Sequence, residues 1–141
     1  MSSFTKFISL FLALTLGTAL IGYDHTYAQS SITLYTPYTK ISVPPGQSID
    51  YTIEVINNSG VLQNVGISVT GIPSGWNYDL KSGGWNISQL SILPGEKKSL
   101  ALKVTVPMQV NKGNYRFKVI AGGLHTLPLT VNVSKEGTFK T

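Results

Sequence analysis

The sequence predicts an all-β chain: an antiparallel sandwich of about seven or eight short strands behind an N-terminal leader helix. Three observations carry that expectation. Apolar residues recur at every second position in run after run, which is the strand period, and no helical stripe follows residue 28. Clusters of Gly, Pro, Asn and Ser interrupt these runs roughly every ten residues, the turn spacing of sandwiches. The longest alternating stretch, Ser99 to Ala121, holds two strands around a break: Leu100, Leu102, Val104 and Val106, then Tyr115, Phe117 and Val119. Pro107 has no N–H for a ladder and closes the first arm, and Asn111 to Gly113 turn the chain into the second.

Residues 1–28 read as an export signal. Lys6 supplies a short positive start, Phe7 to Ile21 is mostly apolar, and Thr26 and Ala28 place small residues before a cut after Ala28. Ser9, Thr15, Gly17 and Thr18 dilute the apolar run below a comfortable membrane span. Membrane attachment is therefore expected only through an uncleaved signal or a C-terminal anchor outside this sequence. Residues 29–134 have the size of one domain, and residues 135–141 read as a tail that could open a following segment.

Within the domain, Ser31 to Tyr35 and Tyr38 to Val43 read as a first strand split at Pro37, and Pro44, Pro45 and Gly46 as the next turn. Ser48 to Asn57 alternates cleanly, with Ile49, Tyr51, Ile53 and Val55 facing a core. A turn at Asn57 to Gly60 leads to a strand over Val61 to Thr70 with Val65, Ile67 and Val69 inward. Trp76 to Leu80 and Trp85 to Ile92 read as two short strands, and Leu93 to Glu96 turns into the long stretch. Leu127 to Val133 is the last strand, with Pro128 marking it as an edge at least over that residue. Gly113, Asn114 and Tyr115, with Phe117 two residues on, have the spacing of the tyrosine corner of immunoglobulin-like sandwiches. Phe117 stands where antibody domains carry their second cysteine.

The chain has no cysteine, which excludes a disulfide, a thiolate metal site and a Cys nucleophile. Its formal charge is +5, from 11 Lys and Arg against 6 Asp and Glu, and these charges are spread singly along the strands, Lys97 and Lys98 apart. That is not the clustered footprint of a nucleic-acid binder, and it reads as a solvated face with at most a mild attraction to anionic envelope polymers. Glycosidic hydrolysis needs two carboxyls about 5 to 10 Å apart. Asp50 and Glu54 stand about 13 Å apart along one strand, and Asp79, Glu96 and Glu136 fall at turns. His125 is the lone histidine after cleavage and lacks metal-ligand spacing, and no nucleophile elbow or phosphate loop is present. No cofactor is implied. The matches to the glycosylation pattern at Asn57, Asn86 and Asn132 are expected by chance in a chain this rich in Asn and Ser.

The residues best suited to hold a ligand are Trp76, Tyr78 and Trp85, which could form a flat ring platform for a sugar; core or rim packing of the same rings is the competing reading.

The succession Val43-Pro44-Pro45-Gly46, Asn57-Asn58, Gly71-Ile72-Pro73-Ser74-Gly75-Trp76, Leu93-Pro94-Gly95-Glu96, Val104-Thr105-Val106-Pro107 and Gly113-Asn114-Tyr115 resembles the NEW3 domain, also called the alpha-galactosidase-associated or NPCBM-associated domain. The resemblance spans about Ser31 to Ser134. It implies an immunoglobulin-like, non-catalytic accessory module of exported or envelope proteins, found beside carbohydrate-active domains or in tandem ahead of a membrane helix. Its partners would be other domains of a longer polypeptide, envelope proteins or a cell-surface glycan.

Overall fold

The computed structural model describes residues 31–134; the expected signal helix (1–28) and the tail (135–141), with Glu136, lie outside the described residues. Ten strands follow one another: β1 (Ile32–Tyr35), β2 (Lys40–Val43), β3 (Ser48–Asn57), β4 (Gln63–Thr70), β5 (Asn77–Ser82), β6 (Trp85–Asn86), β7 (Gln89–Ile92), β8 (Lys97–Thr105), β9 (Gly113–Ala121) and β10 (His125–Val133). They form two five-stranded sheets, in the orders β1-β3-β8-β5-β6 and β2-β10-β9-β4-β7. The sandwich is as expected, and the strand count exceeds seven or eight because two runs break and change sheets midway. Pro37 divides the first: β1 pairs antiparallel with β3, while β2 lies parallel to β10. The second crosses at Ile87 and Ser88, between β6 on β5 and β7 on β4. Both sheets hold that crossing, since the Ile87 N–H donates to the Leu80 carbonyl (3.3 Å) and the Ile67 N–H to that of Ser88 (2.9 Å).

Period two does the packing. Ile53, Val55, Leu100, Leu102 and Val104 of the first sheet and Val119, Ala121, Leu129 and Val131 of the second are all shut away from solvent. Each such Val, Leu or Ile side chain contributes about 1.5 to 3 kcal/mol of burial, which is how a sandwich without a covalent cross-link is held. The Tyr51 and Phe117 rings join the sheets edge to face, centroids 6.1 Å apart. The tyrosine corner is present: the Tyr115 hydroxyl donates to the Asn111 carbonyl at 2.6 Å. Gly113 opens β9 at φ +146°, a conformation that L side chains rarely adopt.

As expected, β10 is an edge over Pro128, though not along its whole length. β10 lies between β9 and β2, but β2 covers only Thr130 to Val133. The Thr130 N–H points to β2, donating to the Thr39 carbonyl at 2.8 Å. Residue 128 shares that parity, so its missing N–H falls on the side where β2 has not yet begun. The ladder loses nothing there.

Asn57, read both as the end of a strand and as the start of a turn, is the fully buried last residue of β3. Its Nδ2 donates to the carbonyls of Val61 (2.9 Å), Ile92 (2.9 Å) and Leu93 (3.2 Å), and its Oδ1 accepts from the N–H (2.9 Å) and hydroxyl (2.7 Å) of Ser59. One side chain thus ties the end of β3 to the exit of β7.

The two ends of the described chain leave from opposite poles. At the pole where β3 ends, the Asn58 N–H donates to the Ser31 carbonyl at 2.6 Å. At the pole where β3 begins, the Ser134 N–H donates to Val43 at 2.9 Å. The ten residues of β3 between them span about 33 Å.

Candidate functional site

The Trp76 ring belongs to the core. The turn Pro73 to Trp76, closed by the Trp76 N–H on the Pro73 carbonyl (3.1 Å), delivers the indole against Tyr115, centroids 4.9 Å apart, and leaves it 7% exposed. Tyr78 is 44% exposed and Trp85 75% exposed. Tyr78 has the inward parity of Leu80 but stands where β5 has lost cover, since β6 pairs only with Lys81 and Ser82. Trp85 lies opposite Ser82, four residues and about 13 Å along the strand from Tyr78. The three rings are not gathered; one lies inside and two lie apart on the margin.

Beside Tyr78 the sandwich opens into a cleft of about 400 Å³ walled by Ile67, Val69, Tyr78, Leu80, Ile87 and Ser88. It forms because β7 pairs with β4 only over Gln63 to Gly66 and β6 is two residues long, so neither sheet closes that flank. A second cleft, about 320 Å³, lies at the pole of Ser134 among Pro45, Met108, Val110 and Val133.

Among the described residues the carboxylates do not converge. Asp50 and Asp79 are the register partners of Lys103 on its two sides, so they stand two strand spacings, about 10 Å, apart on an open face with a cation between them. Glu54 pairs with Lys97 (3.3 Å), and Glu96 accepts the Leu93 N–H (3.1 Å) and meets Lys98 (3.5 Å). That arrangement supplies no acid and base facing a common reacting atom. His125 opens β10 opposite Ala121, and among the described residues no three His, Cys, Asp or Glu side chains gather to hold a metal. Burial pushes the Tyr51 phenol up to about 12, and its hydroxyl is enclosed without a hydrogen-bond partner.

Sequence reasoning missed the open flank between β4 and β5, because strand parity says which way a side chain points and not how far the neighbouring strand extends. It also passed over Asn57, whose only local signal is the Asn-x-Ser spacing of a turn in which the side chain caps the backbone two residues on.

A family model described as the NPCBM-associated, NEW3 domain of alpha-galactosidase matches residues 41–122, more than half of the chain. No curated protein matches it in sequence. Among solved structures, the chain is similar to a family 123 glycoside hydrolase from Clostridium perfringens at a TM-score of 0.57 and 12% identity, over 74% of this chain and 27% of that one. It is similar also to the secreted serine protease VesC from Vibrio cholerae at a TM-score of 0.50 and 13% identity, over 75% of this chain and 23% of that one. The chain spans about a quarter of the length of these structures, and the likeness is one of fold.

Proposed function

Because the chain belongs to the NPCBM-associated, NEW3 domain family, we propose that it is a non-catalytic, exported accessory module that spaces, scaffolds or links other domains of a longer envelope or secreted polypeptide. The observation that carries this reading is the placement of the two ends. A module entered at Ser31 on one pole and left at Ser134 on the other sets its neighbours about 30 Å apart and keeps both sheet faces free. The packing fits the same role: side chains fill the core, Glu54 and Glu96 are engaged in surface ion pairs, and Asp50 and Asp79 flank Lys103 on an open face.

The reading places the mature chain, residues 29–134 and the tail, outside the cytoplasm. N-terminal sequencing of the protein recovered from the extracytoplasmic fraction is the test, with Gln29 as the expected first residue. Recovery from the cytoplasm with Met1 in place, or turnover of aryl glycosides that Asp50→Asn abolishes, would overturn it.

A second reading, carbohydrate binding on exposed rings, has Trp85 and Tyr78 in its favour. Here a sugar stacks on Trp85, with Tyr78 reached only by a ligand longer than one ring, and Trp76 serves by holding β5 in place. A glycan that shifts the emission of the wild type and not of Trp85→Ala supports it; no shift with any glycan removes it.

A further inference from the structure

From the way charge is divided between the two sheets, we infer that the outer face of the second sheet binds an acidic polysaccharide. The inference rests on the reading of the chain as a non-catalytic interaction module and names the chemistry of its partner. All four carboxylates of the described residues, Asp50, Glu54, Asp79 and Glu96, lie on the first sheet or on the turn that feeds β8. The same sheet carries four cations: Lys97 and Lys98 in ion pairs, Lys103 between Asp50 and Asp79, and Lys81 on β5. That side is neutral. The five strands of the second sheet hold no carboxylate, and their outer face carries Lys40, Arg116 and Lys118, all exposed, with Lys112 in the loop before β9. The excess charge of the described domain therefore sits on one side, although the cations are scattered along the sequence.

Register arranges these cations. Lys40 and Arg116 are both partners of Thr130, one on each side, and so stand about 10 Å apart; Lys118 follows Arg116 on the same face at about 7 Å. Between and around them lie hydroxyls and carboxamides: Ser42, Thr70, Asn114, Thr126, Thr130 and Asn132. Arg116, Lys118, Thr70, Gly71 and Pro128 border a shallow depression of about 260 Å³ on this face. Gly71 borders it at φ +83°, a conformation that L side chains rarely adopt.

The partner follows from what the face offers and what it lacks. Three spaced cations on a flat surface suit a chain of repeated anions better than one small ion, because no two of them need converge on a single charge. Hydroxyl and carboxamide rows hydrogen-bond sugar hydroxyls. The strands of this face turn no aromatic ring outward to stack a base, the exposed Tyr38 standing at the margin before Lys40, and their only large outward aliphatic side chain, Ile120, is half-buried, so the strands offer little to the interior of a bilayer.

The test measures retention of the full chain by immobilised polygalacturonate at low ionic strength. The variant Lys40→Gln/Arg116→Gln/Lys118→Gln should bind roughly tenfold more weakly. Lys81→Gln/Lys97→Gln/Lys103→Gln makes the same change in net charge on the other sheet and should stay within about twofold of wild type, and added salt should weaken the wild type's binding. Thermal melts establish that both triple variants are folded. Equal weakening by the two variants, no retention of the wild type, or tighter binding to phosphatidylglycerol vesicles or to duplex DNA than to polygalacturonate would each overturn the inference. None of those outcomes touches the export and turnover results on which the module reading stands.

Discussion

Replacing Asn57 with Ala should cost this domain about 3 kcal/mol, far more than a turn residue warrants. The substitution removes three donor contacts and two acceptor contacts at once. They are not equal. The Ile92 carbonyl is buried together with Asn57, so losing its donor leaves a dry acceptor and costs about 1 to 3 kcal/mol. The bond from the Ser59 N–H fixes the turn after β3 and adds about 1 kcal/mol. The Val61 and Leu93 carbonyls are only partly buried, water can replace their donor, and they contribute little. Urea denaturation of wild type and variant gives the difference in stability, and a thermal melt should show a fall of roughly 15 °C for a domain of this size. Ser59→Ala, which touches the same turn from outside, should cost only about 0.5 kcal/mol. A loss below about 1 kcal/mol for Asn57→Ala would refute the reasoning, because it would mean that water fills the site as well as the carboxamide does.

Tyr51→Phe removes a hydroxyl that is enclosed without a partner and should leave stability unchanged or raise it by about 1 kcal/mol in urea denaturation. The folded phenol is raised to about 12 from its ordinary 10, so the wild type keeps full stability below pH 10 and loses part of it as pH climbs from 10 to 12. Melts of Tyr51→Phe across that window should show a shallower decline. Tyr115→Phe breaks the 2.6 Å bond to Asn111 and should cost about 1 kcal/mol by the same assay. Leu102→Ala hollows the middle of the first sheet's inner face and should cost about 2 to 5 kcal/mol. Acrylamide should quench Trp85 readily and Trp76 poorly, so Trp85→Phe should leave a blue, protected emission.

Most of the framework was legible because β3, β4, β8 and β9 follow an uninterrupted period of two that no helix shares. The predicted β3 coincides with the observed one from Ser48 to Asn57. The tyrosine corner was legible for a similar reason: Gly113 and Tyr115 lie two residues apart, and the acceptor Asn111 is four residues upstream of the tyrosine. Features that depend on strands distant in sequence were not. Nothing local in Trp85 to Ile92 says that its first half belongs to one sheet and its second to the other. The platform of Trp76, Tyr78 and Trp85 rested on parity, and parity could not tell that Trp76 meets Tyr115 while Tyr78 and Trp85 stand at a margin. The charge division was hidden likewise, since Lys40, Arg116 and Lys118 become neighbours only through the register of β10.

The parallel run of β2 beside β10, with the exits at opposite poles, sets how the domain would respond to being stretched. Tension applied at Ser31 and Ser134 loads β1 against β3 and, behind it, β2 against β10, each along its length, so the bonds of each pair share the load together instead of parting singly from one end. A domain built this way stays stiff until it yields as a unit.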